Sequence, residues 1–161
     1  MAGVFTISGR TAIATAIKTR TAHLAWGTGN PAWGAEPPTP PVDTTALLAE
    51  VGRRQATLVE YCTPDLNGVI SVTEGRFAVT TTPTPHLYFK FHFDFEDAVG
   101  QTIREAAIFL DTVLVTGVPP GQFYLTPSQV GNPGTLLIAD RRAPIVREIT
   151  IRPLLEYVVT F

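Results

Sequence analysis

One cysteine, Cys62, stands in a chain of 161 residues, so no disulfide can close within it and no cluster of thiolates can be built from it. A reducing compartment is expected. Charge is also scarce: 16% of the residues are charged, against about 25% in an average soluble domain. Twelve basic residues face fourteen acidic ones, for a net charge of -2, and no run of one sign is long enough to make a basic stripe. Neither nucleic acid nor an anionic membrane is therefore expected as a partner. No run of about eighteen apolar residues occurs, and the N-terminus lacks the charged and apolar regions of a secretory leader. Synthesis in the cytoplasm, or assembly from there, is expected. With 45% hydrophobic residues, part of the uncharged surface should face partners, other copies of the chain included.

The motifs of catalysis are missing too. No serine sits in a G-x-S-x-G elbow, and Cys62, followed by Thr63 and Pro64, has no recognisable histidine partner, so it reads as a small buried hydrophobe. The glycines of WGTGNPAWG, residues 26–34, match no phosphate loop. Asp94, Glu96 and Asp97 crowd into a turn beside Gly100, where carboxylates cap or solvate a loop. No enzyme, catalytic residue or cofactor is expected.

What is present begins with HLYFKFHFDF, residues 86–95. Strict alternation assigns Leu87, Phe89, Phe91, Phe93 and Phe95 to one buried face of a strand. His86, Tyr88, Lys90, His92 and Asp94 fall on the other, turned to water or to another chain. His92 and Asp94 could begin a metal site, but His86 lies about 20 Å away along an extended strand, so no metal site is expected.

Residues 8–20, SGRTAIATAIKTR, read as a short helix capped by Ser8, with Ile13, Ala14 and Ile17 on one face and Lys18 and Arg20 in its last turn. Residues 44–54, TTALLAEVGRR, read as a second helix that ends near Gly52. Between them runs an irregular excursion rich in glycine and proline that carries both tryptophans. From Gln55 onward the period changes to two, with strands expected at 55–62, 68–72, 75–82, 86–95, 102–110, 113–116, 122–126, 135–139, 145–152 and 154–160. Gly/Pro turns such as PDLNG, GVPPG and GNPG divide them. The expected fold is mainly β, an antiparallel β-sandwich or barrel with two short N-terminal helices. Residues 1–54 would form a helical arm and 55–161 the β domain of one compact unit. The chain closes on the apolar strand ITIRPLLEYVVTF, expected to be tied into a sheet. Trp26 and Trp33 are large, rigid side chains suited to an interface or to their own core.

Four pieces in order, FTISGRTAIATAI, WGTGNPAW, TALLAEVGRR and DAVGQTIREAAIF, cover residues 5–110. Together they resemble the N-terminal, baseplate-attaching module of tail-collar fibre proteins from contractile-tailed bacteriophages. The resemblance implies a virion structural protein of the tail, a baseplate adaptor whose partners are baseplate wedge and tail fibre proteins and further copies around the tail axis. Arg104 and Glu105 of the Ile-Arg-Glu segment would be structural or contact residues, beside Trp26, Trp33, His86 and His92. The sequence departs from the pattern at Ala106 and Ala107, where glycine often follows Arg-Glu, and no repetitive shaft follows residue 110. Other readings of the residues are a neck or collar protein joining head to tail, and a carbohydrate-binding or metal-dependent module whose pocket Trp26, Trp33, His92 and Asp94 would line.

Overall fold

The computed structural model describes residues 3–161. Among these residues the fold is mainly β, with antiparallel sheets and one α-helix, and the chain divides into two units. The first comprises residues up to Arg20, then Thr57–Phe91 and Leu154–Phe161; the second comprises Thr21–Ala56 and His92–Pro153. Residues 1–54 are thus shared between the units. The expected β class stands; the second helix does not.

In the second unit, β1 (Ala22–Gly27), β2 (Glu50–Gln55), β7 (Thr102–Leu110), β9 (Tyr124–Leu125) and β11 (Thr135–Val146) form one sheet in the order β11-β7-β1-β2-β9. In the first, β3 (Leu58–Pro64), β4 (Ile70–Val72), β5 (Gly75–Thr80), β6 (His86–His92) and β12 (Leu154–Thr160) form another, ordered β12-β6-β3-β5-β4. A small ribbon pairs β8 (Val113–Leu114) with β10 (Val130–Asn132).

The first unit's sheet curls until β12 lies against β4, a nearly closed barrel. All five strands feed one cluster: Cys62, Ile70, Phe77 and Tyr88, with Val72 and Val158 packed on them. Tyr88 is therefore interior, and its hydroxyl bonds to Glu156; burial, then that bond, raises its pKa. Burial likewise pushes the Cys62 thiol up to about 11. The face of β6 expected to be wet thus lines the inside of a curled sheet at Tyr88. Leu87, Phe89, Phe91 and Phe93 are fully buried as the alternation requires, but Phe95 is 43% exposed, because the strand ends at His92 and the chain turns at Asp94. Helix α1 (Ile7–Lys18) starts two residues earlier than its sequence suggests, with Thr6 rather than Ser8 as the cap, accepting from the Gly9 N–H. It is fastened to β3 by Tyr61 donating to Thr15 Oγ1 at 2.9 Å and by a Lys18–Glu60 ion pair at 3.1 Å.

In the second unit, β1 lies between β2 and β7, with Trp26 opposite Ala106 and Ala25 opposite Ala107. Every residue of β1 is buried, so no polar alternation marks it in the sequence. The segment 44–54, rich in helix formers, is an irregular run followed by β2. Ladder bonds to β1 and β9 outweigh its helical propensity. Gly52 is not a helix end but the point where Tyr124 crosses the strand: a Cβ there would lie 2.1 Å from the Tyr124 hydroxyl. The separate strand expected at 145–152 is instead the end of β11, which bulges between Arg141 and Ile145, followed by a loop. As an edge strand, β11 tolerates Pro144.

Phe91→Ala should lower the unfolding free energy by about 3–5 kcal/mol, while His92→Ala should change it by less than about 0.5; equal losses in urea titrations would overturn this reading of β6. A second expectation concerns His23, buried on β1 with Nδ1 lacking a hydrogen-bond partner. Burial, then the nearby Arg53 charge, lowers its pKa from 6.5 to about 4. Because the folded state holds the neutral ring, its contribution is complete above pH 6.5. It is lost as the pH falls toward 4 and the unfolded chain takes up the proton, by as much as about 3 kcal/mol. His23→Gln should flatten the stability profile between those pH values, and an unchanged slope would refute it.

Candidate functional site

The irregular excursion after β1 is built turn by turn. Gly29 takes φ +57°, and the Asn30 side chain accepts from the Ala32 N–H at 2.9 Å while its carbonyl accepts from the Trp33 N–H at 3.0 Å. This turn lays the Trp33 ring on Gly29, where a Cβ would come within 2.4 Å of it. Only glycine fits both the backbone and the ring. The Arg141 guanidinium lies over Trp33, 4.4 Å from the ring centroid, and donates to the Pro38 carbonyl at 3.1 Å. A half-buried tryptophan is thereby held in one place and still reaches solvent.

Glu105 fixes the next part of the excursion. Its side chain is buried, and its two oxygens accept from the backbone N–H groups of Leu48 at 3.1 Å and Ala49 at 2.8 Å. Leu47 then packs on Ala25, Ala107 and Phe109. Between this segment and β11 lies a cleft of about 400 Å³, lined by Pro40, Pro41, residues 43–48, Glu105 and residues 139–141. Arg104, on the other face of β7, donates from Nη1 to the carbonyls of Thr28 and Thr102 at 3.2 and 3.3 Å.

Trp33, Arg104 and Glu105 thus gather around one excursion, which the sequence pattern had singled out. Trp26 does not join them. It is 2% exposed, stacked on Phe93 with ring centroids 3.5 Å apart, and its Nε1 donates to the Tyr124 hydroxyl at 3.4 Å. It is a core residue of the second unit and offers a partner no surface. His86 belongs to the barrel unit, where Nδ1 meets Thr160 Oγ1 at 2.8 Å and burial lowers its pKa. His92 sits half-buried at the end of β6. Among the described residues, no three histidine, cysteine or carboxylate side chains gather as metal ligands would.

Sequence reasoning missed Arg141 and Arg147. Arg147 is 2% exposed and donates to four carbonyls, those of Asp94 (2.9 Å), Phe95 (3.5 Å), Asp97 (3.1 Å) and Ile151 (2.9 Å). Asp97 in turn accepts from Arg54 and from the Asp94 N–H. The available signal was an arginine directly after the apolar pair Ile145 and Val146 in PIVREIT.

Glu105→Gln should release residues 44–49, since an amide presents a donor where two N–H groups point. A loss of about 1–3 kcal/mol is expected, together with faster amide exchange at Leu48 and Ala49. Unaltered exchange at both would show that Glu105 does not hold the segment.

A sequence model of the family described as baseplate wedge 3 tail fiber network component matches residues 1–161. No curated protein matches the chain. The family agrees with the baseplate resemblance carried by the motifs up to residue 110 and extends over the whole sequence given. The chain belongs to the baseplate wedge 3 tail fiber network components, structural proteins of the bacteriophage tail.

Proposed function

We propose that this protein works by contact rather than catalysis, as the adaptor through which tail fibres are held to the baseplate wedge. The observation that carries the reading is the fixed Trp33, seated on Gly29, covered by Arg141 and set beside the Glu105 cleft. Interface energy concentrates in a few large aromatic and arginine side chains. Such anchors bind best when the free protein already holds them in place, because little rotamer and loop freedom is then lost on association. The membership in a wedge and tail fiber network family supplies the class of partner.

Particles made without this protein should have normal capsids but lack fibres and adsorb poorly. In particles carrying Trp33→Ala or Arg141→Ala, fibre occupancy should fall, since losing one such anchor costs about 2 kcal/mol or more, while the purified variants keep the wild-type circular dichroism. Electron microscopy showing fully fibred tails in the absence of the protein would refute the adaptor role. Unfolding of both variants would move these residues from the contact to the scaffold.

A further inference from the structure

We propose that copies of this chain join head to tail, the N-terminal tip of α1 in one copy seating on the loops around Phe95 and Ile149 of the next. Ile7 and Ala14 are seven residues apart and share a helix face. Ala14 is completely buried, yet Ile7 is 74% exposed. The first turn of that face is therefore uncovered. Val4 and Phe5, just ahead of it, are exposed as well, and the Arg10 guanidinium lies over the Phe5 ring at 4.8 Å. The first turn holds no acidic residue and Arg10 stands beside it, so the tip is apolar and positive.

The receiving surface has the opposite character. Arg147 binds carbonyls on both the 94–97 turn and the 147–151 loop, and Ala98 is held at φ 53°, a conformation a non-glycine residue adopts only under constraint. The two loops are fixed, and they present Phe95, Val99, Ile149 and Ile151 to solvent. Arg152 lies over the Phe95 ring at 5.3 Å but is paired with Asp94 at 3.1 Å, so the exposed carboxylates of Glu96 and Glu148 set the sign of the patch. Apolar patches of this kind on a fixed frame mark interaction surfaces.

The charges decide which occupant fits. Tip against tip would set Arg10 against Arg10, and loops against loops would set Glu96 and Glu148 against their counterparts. Tip against loops pairs opposite signs around apolar contact. That is a heterologous interface, which leaves a free tip and a free patch after each addition and so builds a ring or an open array. A protein of a network family can assemble in this way without any fibre present, and the inference does not depend on the adaptor reading.

The test uses purified full-length chain in sedimentation velocity over a concentration series. The wild type should grow beyond a dimer, and Phe5→Glu and Ile149→Glu should each weaken association by about tenfold or more. Mixed together, the two variants should form a one-to-one dimer and stop, because one keeps a sound patch and the other a sound tip. Arg10→Glu should be rescued by Glu96→Arg combined with Glu148→Arg, which also serves if an apolar variant fails to fold. Wild-type assembly by either Glu variant, or no complex in the mixture, would overturn the head-to-tail contact. A wild-type chain that stays monomeric at every concentration would overturn it as well and assign both surfaces to other tail proteins.

Discussion

The structure depends on buried ions that bond to backbone. Long irregular segments expose amides and carbonyls that no ladder satisfies, and a buried one left unpaired costs about 1–3 kcal/mol. In the second unit three charged side chains meet this demand. Glu105 takes two N–H groups of the excursion before β2. Arg147 gives to carbonyls on two loops beyond the sheet. Arg53, 1% exposed, bonds Glu50, Thr112 and the Pro133 carbonyl while its guanidinium lies 4.3 Å over the Phe109 ring. The sheet supplies apolar burial, and these ions fasten the loops to it.

The same logic explains which parts of the fold were legible in the amino-acid sequence. Strand β7 falls where its turns place it, at 102–110, β12 falls at 154–160 as expected, and β6 begins at His86 as its pattern requires but stops at His92. Helix α1 is legible because Ile13, Ala14 and Ile17 keep a helical period and Lys18 closes it. Strand β1 was not, since AHLAWG is buried on both faces and has no period to read. The run TTALLAEV misleads for a different reason: its local preference is helical, and the deciding partners, Glu105 and Tyr124, lie more than fifty residues away. Local propensity loses there to contacts that no short window contains.

The candidate surface was legible in part. Trp33 and Trp26 look alike in sequence, two aromatics flanked by glycine, yet one caps an excursion and the other fills a core. What separates them is position relative to a strand. Trp26 lies within β1, whose central place in the sheet buries it, whereas Trp33 follows the Gly29 turn that ends the ladder. His86 illustrates the same limit, since alternation gives its face but not the curvature that turns that face inward. Arg104 and Glu105 are adjacent and opposed as the pleat dictates, each with its own loop to hold.

Low charge and contact follow from one arrangement. A chain with 16% charged residues that places Arg53, Asp97, Glu105 and Arg147 inside has fewer left for its surface, and the surface keeps exposed isoleucine, valine and phenylalanine instead. In a free monomer that would be a liability, because exposed apolar surface invites association of any kind. Rigid loops change the outcome. When buried ions fix the backbone that carries the apolar groups, only a complementary shape gains their burial, so association becomes selective. The ions that complete the fold thus also fix the backbone that carries its exposed apolar groups, an arrangement suited to a component of the tail fibre network.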